Sequence, residues 1–97
     1  MRPNPKFSLG EVIATSGALD IIKRLNINPI SLLSRHIRGD WGELDDHDKQ
    51  ANDNALATGS RLLSSYEIQN IKLWIITEAI DDQGNRSATT ILLPSEY

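Results

Sequence analysis

The chain has 97 residues, 39% of them hydrophobic and 24% charged, enough to build one hydrophobic core and too few for two. Ten Lys and Arg against thirteen Asp and Glu leave a formal charge of −3, so the molecule is no polycation drawn to phosphate backbones; direct nucleic-acid binding is disfavoured except at a local patch. The lack of cysteine removes disulfides, thiol nucleophiles and the usual structural zinc sites, and no apolar run is long enough for a signal peptide or a membrane span, so the expectation is a single intracellular, cytoplasmic domain.

Residues 1–8, with two prolines, read as a flexible N-terminus. Ser8-Leu9-Gly10-Glu11 has capping-box spacing, in which a serine hydroxyl and a glutamate carboxylate satisfy each other's amides, and predicts a short helix over 9–15 that Gly17 interrupts. Ala18, Leu19, Ile21, Ile22 and Leu25 recur at three- and four-residue spacing and predict a second helix, with Lys23 and Arg24 at its negative end. Asn28-Pro29 is a cap followed by proline at the first helical position, and predicts a third helix that ends at Gly39. Asp45 or Asp46 caps a fourth, mostly polar helix running to about residue 57, with Ala51, Ala55 and Leu56 inward and Gly59 at its exit.

From residue 61 the period changes to that of strands. Runs over 61–67, 71–78 and 88–93 are rich in Leu, Ile, Thr and aromatics, and short turn-like separators at 69–70 and 81–85 join them. Connections this brief make antiparallel neighbours. The expected class is α+β, with short N-terminal helices over 9–57 packed on a three-stranded antiparallel β-meander over 61–93, its last strand at an edge or beside the first helix. Alternation along the second run puts Trp74 and Ile76 on one face and Leu73 and Ile75 on the other. Two partly covered faces and open strand edges make sheet-mediated homodimerisation an option.

Charge is unevenly spread. Residues 1–38 hold six basic side chains against two acidic ones, and residues 39–58 hold six acidic side chains against Lys49 alone. The sign changes within 35–47, which collects both histidines, one of the two tryptophans, two arginines and four acidic residues. Arg35, His36, Arg38, Asp40, Trp41 and Glu43 are the candidate binding residues, because glycines at 39 and 42 turn the backbone on both sides of an acidic and an aromatic group. Convergence of His36, Asp40, Asp46 and His47 would make an N/O site for a water-activating divalent metal. The spacing lacks a His-x-x-x-His pair and a Gly-rich phosphate loop, so no metal, cofactor or catalytic residue is assigned. The plainer account places His36 at a helix end, where the dipole favours imidazolium, His47 on a solvated helix turn, and Trp41 as an anchor pinning its loop to the core. Ser64 and Ser65 read as solvent-facing strand serines outside any Gly-x-Ser-x-Gly elbow.

Ala14-Thr15-Ser16-Gly17-Ala18-Leu19, Leu33-Ser34-Arg35-His36, Gly39-Asp40-Trp41-Gly42-Glu43-Leu44, Asp48 with Asn52, Gly59-Ser60-Arg61-Leu62-Leu63-Ser64-Ser65-Tyr66, Leu73-Trp74-Ile75-Ile76-Thr77-Glu78-Ala79 and the closing Leu92-Leu93-Pro94-Ser95-Glu96-Tyr97 resemble a family of small bacterial proteins. Its members are found on plasmids, integrative elements and chromosomes, under names such as plasmid-related protein or type I restriction subunit. The resemblance spans roughly residues 14–97 and carries no site residues with it. It implies a setting on mobile DNA and roles in replication control, conjugation or evasion of host defence. Two function classes follow. The first is a non-catalytic accessory or anti-defence factor that uses the acidic stretch and the Asp40-Trp41 loop to occupy a protein partner's surface, one that normally holds nucleic acid. The alternative is a small metal-dependent enzyme acting on nucleic acid or nucleotides through His36, Asp40 and Asp46.

Overall fold

In the computed structural model, which describes residues 5–97, four strands and three α-helices follow in the order β1 (Glu11–Ala14), α1 (Ser16–Arg24), α2 (Pro29–Ile37), α3 (Asp46–Thr58), β2 (Leu62–Ile68), β3 (Ile71–Thr77) and β4 (Ala88–Leu92), with a 3-10 turn at Pro94–Glu96. The class is α+β, with one mixed sheet in the order β1-β4-β3-β2. The expected meander is present, since β2 pairs antiparallel with β3 and β3 with β4.

Residues 9–15 correct the expectation of a helix. They carry a strand instead, and β1 pairs in parallel with β4, Val12 beside Thr89 and Ile13 beside Thr90. Gly10 is left-handed, at φ +64°, and so close to β4 that a Cβ there would lie 2.3 Å from the Arg86 carbonyl. That backbone cannot open a helix, and the β-branched Val12 and Ile13 suit the pleat. The cap is Thr15, whose hydroxyl accepts the Ala18 amide at 3.2 Å and starts α1 one residue before Gly17. A second correction follows from the first. β4 is not an edge but lies inside the sheet, between β1 and β3, with Ala18 and Ile22 of α1 packed against its Ile91.

The other helix limits fall where the capping residues put them. Asn28 Oδ1 accepts the Ile30 amide at 3.0 Å ahead of Pro29, and Asp45 Oδ1 accepts the Asp48 amide at 2.8 Å. Gly59, at φ +83°, ends α3. In α1 the buried pair Ala18 and Ile22, and in α2 the buried pair Leu32 and His36, recur every four residues, so each helix turns one stripe to the sheet. The facing side of the sheet supplies Tyr66, Leu73, Ile75 and Ile91, all at most 2% exposed; burying each aliphatic side chain among them stabilises the fold by about 1.5–3 kcal/mol. Opposite, Ile76 and Leu92 are buried and Trp74 is half-buried, its ring meeting Tyr97 edge-on at 5.7 Å. The Glu96 carboxylate reaches the Thr15 hydroxyl at 2.5 Å and the Gly17 amide at 3.2 Å, so the C-terminal turn also closes the start of α1.

α3 stands beside the β2 end of the sheet. Asn52 and Ala55 are its buried residues, whereas Ala51, expected inward, is exposed. Arg86 joins α3 to the strands: it is 6% exposed, and Nη1 donates to the carbonyls of Ser60 (2.7 Å) and Glu78 (2.9 Å) while Nη2 donates to that of Ala55 (3.3 Å). Of the expected flexible stretch, residues 1–4 lie outside the described residues. The Lys6 amide bonds to the Ile37 carbonyl at 2.8 Å, and the Phe7 ring packs on His36 and Trp41. Among the described residues no helix is long and apolar enough to cross a membrane.

Candidate functional site

His36 sits in the last turn of α2 and is completely buried. Its Nδ1 lies 2.6 Å from Ser64 Oγ, its Nε2 lies 2.9 Å from Thr77 Oγ1, Thr77 Oγ1 lies 2.7 Å from Thr89 Oγ1, and Thr89 Oγ1 donates to the Leu9 carbonyl at 2.7 Å. Proton counting along this chain assigns every donor. Thr89 spends its single hydrogen on Leu9, so Thr77 donates to Thr89 and accepts from His36 Nε2–H. Nδ1 is then the bare nitrogen, and Ser64 donates to it. The imidazole is neutral, and burial is the main cause that pushes its pKa down to about 4, with the charge of Arg86 adding to the effect. This corrects the expectation of a helix-end imidazolium: the dipole favours charge there, but a dry interior disfavours it more. Ser64 and Ser65, expected at the surface, are 0% and 2% exposed.

The loop after α2 is locked by a bidentate pair. Arg35 Nε lies 2.7 Å from Asp40 Oδ2, and Arg35 Nη2 donates to Oδ1 at 3.4 Å. The hydrogen bond to Asp40 raises the Arg35 pKa and its reciprocal lowers that of Asp40. Both side chains are more than a third exposed, so the pair contributes no more than about 1 kcal/mol. The same guanidinium stacks 4.5 Å above the Tyr66 ring, and the Tyr66 hydroxyl donates to the Asp40 carbonyl at 2.6 Å; burial pushes that phenol up to about 12. Trp41 is 4% exposed and donates Nε1–H to Asp53 at 3.0 Å. It is the anchor, and its ring is not offered to a partner.

What this loop does is seal an edge of the sheet. β2 is the last strand, and its outward amides at Leu63, Ser65 and Glu67 are taken in turn by Asn52 Oδ1 (3.1 Å), the Trp41 carbonyl (3.1 Å) and Glu43 Oε2 (2.9 Å). Its outward carbonyls at Leu63 and Ser65 receive Asn52 Nδ2 (2.7 Å) and the Glu43 amide (2.7 Å). Gly42 makes the approach feasible, because at φ +76° a Cβ would lie 2.0 Å from the Ser65 carbonyl oxygen. Asp40, Trp41 and Glu43, together with Arg35 and His36, therefore make contacts within the fold, Trp41 and His36 buried and Asp40 and Glu43 still exposed. Arg38 alone of the six expected binding residues is exposed with no side-chain hydrogen bond or ion pair among the described residues. Asn52, quoted in the resemblance but given no role there, lies on a mostly polar helix one turn before the buried Ala55.

The four expected metal ligands do not converge. His36 has both nitrogens committed and Asp40 is paired with Arg35, while the ligand atoms that do lie together, within 4.8 Å, belong to Asp45, His47 and Asp48, all exposed. His47 lies on a solvated first turn of α3, as expected. Beside that turn runs a groove of about 310 Å³ lined by Leu44, Asp48, Ala51, Asn52, Leu63 and Trp74. Compared with protein-family models, with curated proteins and with solved structures, the chain has no match.

Proposed function

We propose that this protein is a non-catalytic protein-binding factor whose recognition surface is the α3 groove and its acidic rim. The observation that supports this reading is one of composition in space: Leu44, Leu63 and Trp74 make an apolar floor, and the exposed carboxylates of Asp45, Asp46 and Asp48 stand on the helix turn beside it. Such a surface complements a basic protein face with an apolar side chain to insert, and a basic face is one that ordinarily holds nucleic acid. The accessory or anti-defence role on mobile DNA implied by the resemblance fits this chemistry. The loop residues expected to make contact act here as support, and Arg38 is the exposed one with no side-chain hydrogen bond or ion pair among the described residues.

The test pairs partner retention with thermal midpoint on the same preparations. Asp46→Asn with Asp48→Asn removes two charges and leaves the Asp45 cap intact. The expected result is a midpoint within a degree or two and capture of a basic partner weakened at least about tenfold, one decade for each 1.4 kcal/mol, with wild-type binding falling as salt rises. Equal retention by wild type and variant overturns the reading.

Self-association is the second reading, favoured by the opposite edge of the sheet. The amides of Glu11 in β1 and of Thr15 just after it bond to the carbonyls of Ser87 and Ile91 at 3.0 Å, so alternation turns the polar backbone of Val12 and Ala14 outward, and Val12 and Ile13 are 46% and 44% exposed. Sedimentation of wild type beside Val12→Pro measures it: a concentration-dependent dimer that the proline abolishes supports pairing along β1, and a monomer throughout removes it.

A further inference from the structure

Arg86 carries a second consequence besides holding α3 to the strands. A guanidinium has five N–H donors. The carbonyls of Ser60, Glu78 and Ala55 take three of them, two on Nη1 and one on Nη2. Nε–H and the second hydrogen of Nη2 have no hydrogen-bond acceptor among the described residues. Among the described residues no buried side-chain nitrogen or oxygen lacks a partner, which places the unpartnered Nε at the accessible surface even though Arg86 as a whole is 94% buried.

That surface is a cleft of about 250 Å³, whose walls include Phe7, Ser8, Gly59, Ile80, Asn85 and Arg86. None of its lining residues is acidic, and none of the ion pairs among the described residues involves Arg86. The positive charge is thus offset only by main-chain dipoles, including the negative end of α3. Burial lowers the Arg86 pKa, and no carboxylate acts against it. The Ser8 hydroxyl and the Asn85 side-chain amide, both on exposed residues, line the same cleft with no hydrogen-bond partner of their own among the described residues. The Phe7 ring lies 5.8 Å from the guanidinium, giving the cleft an apolar wall that strengthens charge interactions within it. The volume is several times that of a water, about 30 Å³, and below the range of roughly 300–1,000 Å³ typical of sites for larger organic ligands.

We propose that this cleft is a binding site for a small oxyanion, a phosphate or carboxylate group gripped by Arg86 Nε–H and Nη2–H, with the Ser8 hydroxyl and the Asn85 side-chain NH2 as further donors. Two N–H groups on neighbouring guanidinium nitrogens match the two oxygens of either group, the arrangement in which arginine binds such anions bidentately. The site is separate from the α3 groove and does not depend on the function proposed for it.

The thermal midpoint of the full chain is measured against sodium phosphate, sodium acetate and, at matched ionic strength, sodium chloride. A ligand of the folded state raises the midpoint with a saturating dependence, and the expected result is such a rise with phosphate, acetate or both, beyond that in chloride. The 1H–15N signal of Arg86 Nε–H should move with the same half-saturation. Ser8→Asp places a carboxylate at the cleft without touching the three carbonyl contacts, and should raise the half-saturating concentration at least about tenfold. Arg86→Lys keeps the charge and loses the two-pronged donor; Ser8→Asp carries the test if that variant fails to fold. Midpoints in phosphate and acetate that do not exceed the chloride control overturn the proposal, as does a rise that leaves the Arg86 signal unmoved or persists unchanged in Ser8→Asp.

Discussion

Acid should weaken this fold well before its carboxylates titrate, and His36 is the reason. Its folded pKa, about 4, lies below the ordinary value of 6.5, so between these limits the unfolded chain takes up a proton that the folded chain refuses. Stability from this group is complete above about pH 7 and falls as pH drops through 6.5 towards 4. At roughly 1.4 kcal/mol per pH unit the full loss is about 3 kcal/mol, of which about 2 kcal/mol is gone by pH 5. For a domain of this size that lowers the midpoint by roughly 10 °C. Structure explains why the proton is refused. Nδ1 already accepts the Ser64 hydrogen at 2.6 Å, and an imidazolium would need Ser64 to reverse and find another acceptor in a sealed interior. Asp40, held below its ordinary value of 3.8 chiefly by its hydrogen bond with Arg35, loses its contribution only below about pH 4, so the window from 7 to 5 isolates the histidine. Denaturant unfolding over that window is compared for wild type and His36→Gln. The variant is expected to be less stable at pH 7 and nearly flat towards pH 5; a variant with the wild-type slope would refute the assignment of the acid sensitivity to His36.

Gly42→Ala should destabilise by about 3 kcal/mol, since it combines left-handed strain with loss of the hydrogen bonds between the loop and Ser65; equilibrium denaturation measures it. Asn52→Ala leaves the Leu63 amide and carbonyl without their partners and should cost about 2–3 kcal/mol, with faster amide exchange at Leu63 as the local sign. The β2–β3 turn holds Gln69 at φ +50° and Asn70 at φ +68°, a pair of positive angles that Asn-Gly adopts with less strain, so Gln69→Asn with Asn70→Gly should stabilise by about 1 kcal/mol and raise the denaturant midpoint.

The sequence by itself determined whatever is decided over a few residues. Asn28-Pro29, Asp45 and Gly59 set helix limits through hydrogen bonds and dihedral angles spanning at most four positions. The two short turns after residue 61 imposed an antiparallel meander because they leave no room for a crossover. Ser8-Leu9-Gly10-Glu11 misled because a capping box is only an option the backbone may decline. The parallel partner that turned 11–14 into a strand lies about 77 residues away at β4, and no local pattern encodes it. The candidate site divides the same way. Glycines at 39 and 42 signalled a sharp loop, and both have positive φ. What Trp41 and Glu43 bond to depended on β2 presenting an open row of amides and carbonyls to that loop. His36, Ser64, Thr77 and Thr89 come from α2 and three different strands, and polar residues so spread look like surface until tertiary packing pairs them. Only the assembled structure could decide that, because a buried polar group is tolerated when its partners arrive with it, and those partners are distant in sequence.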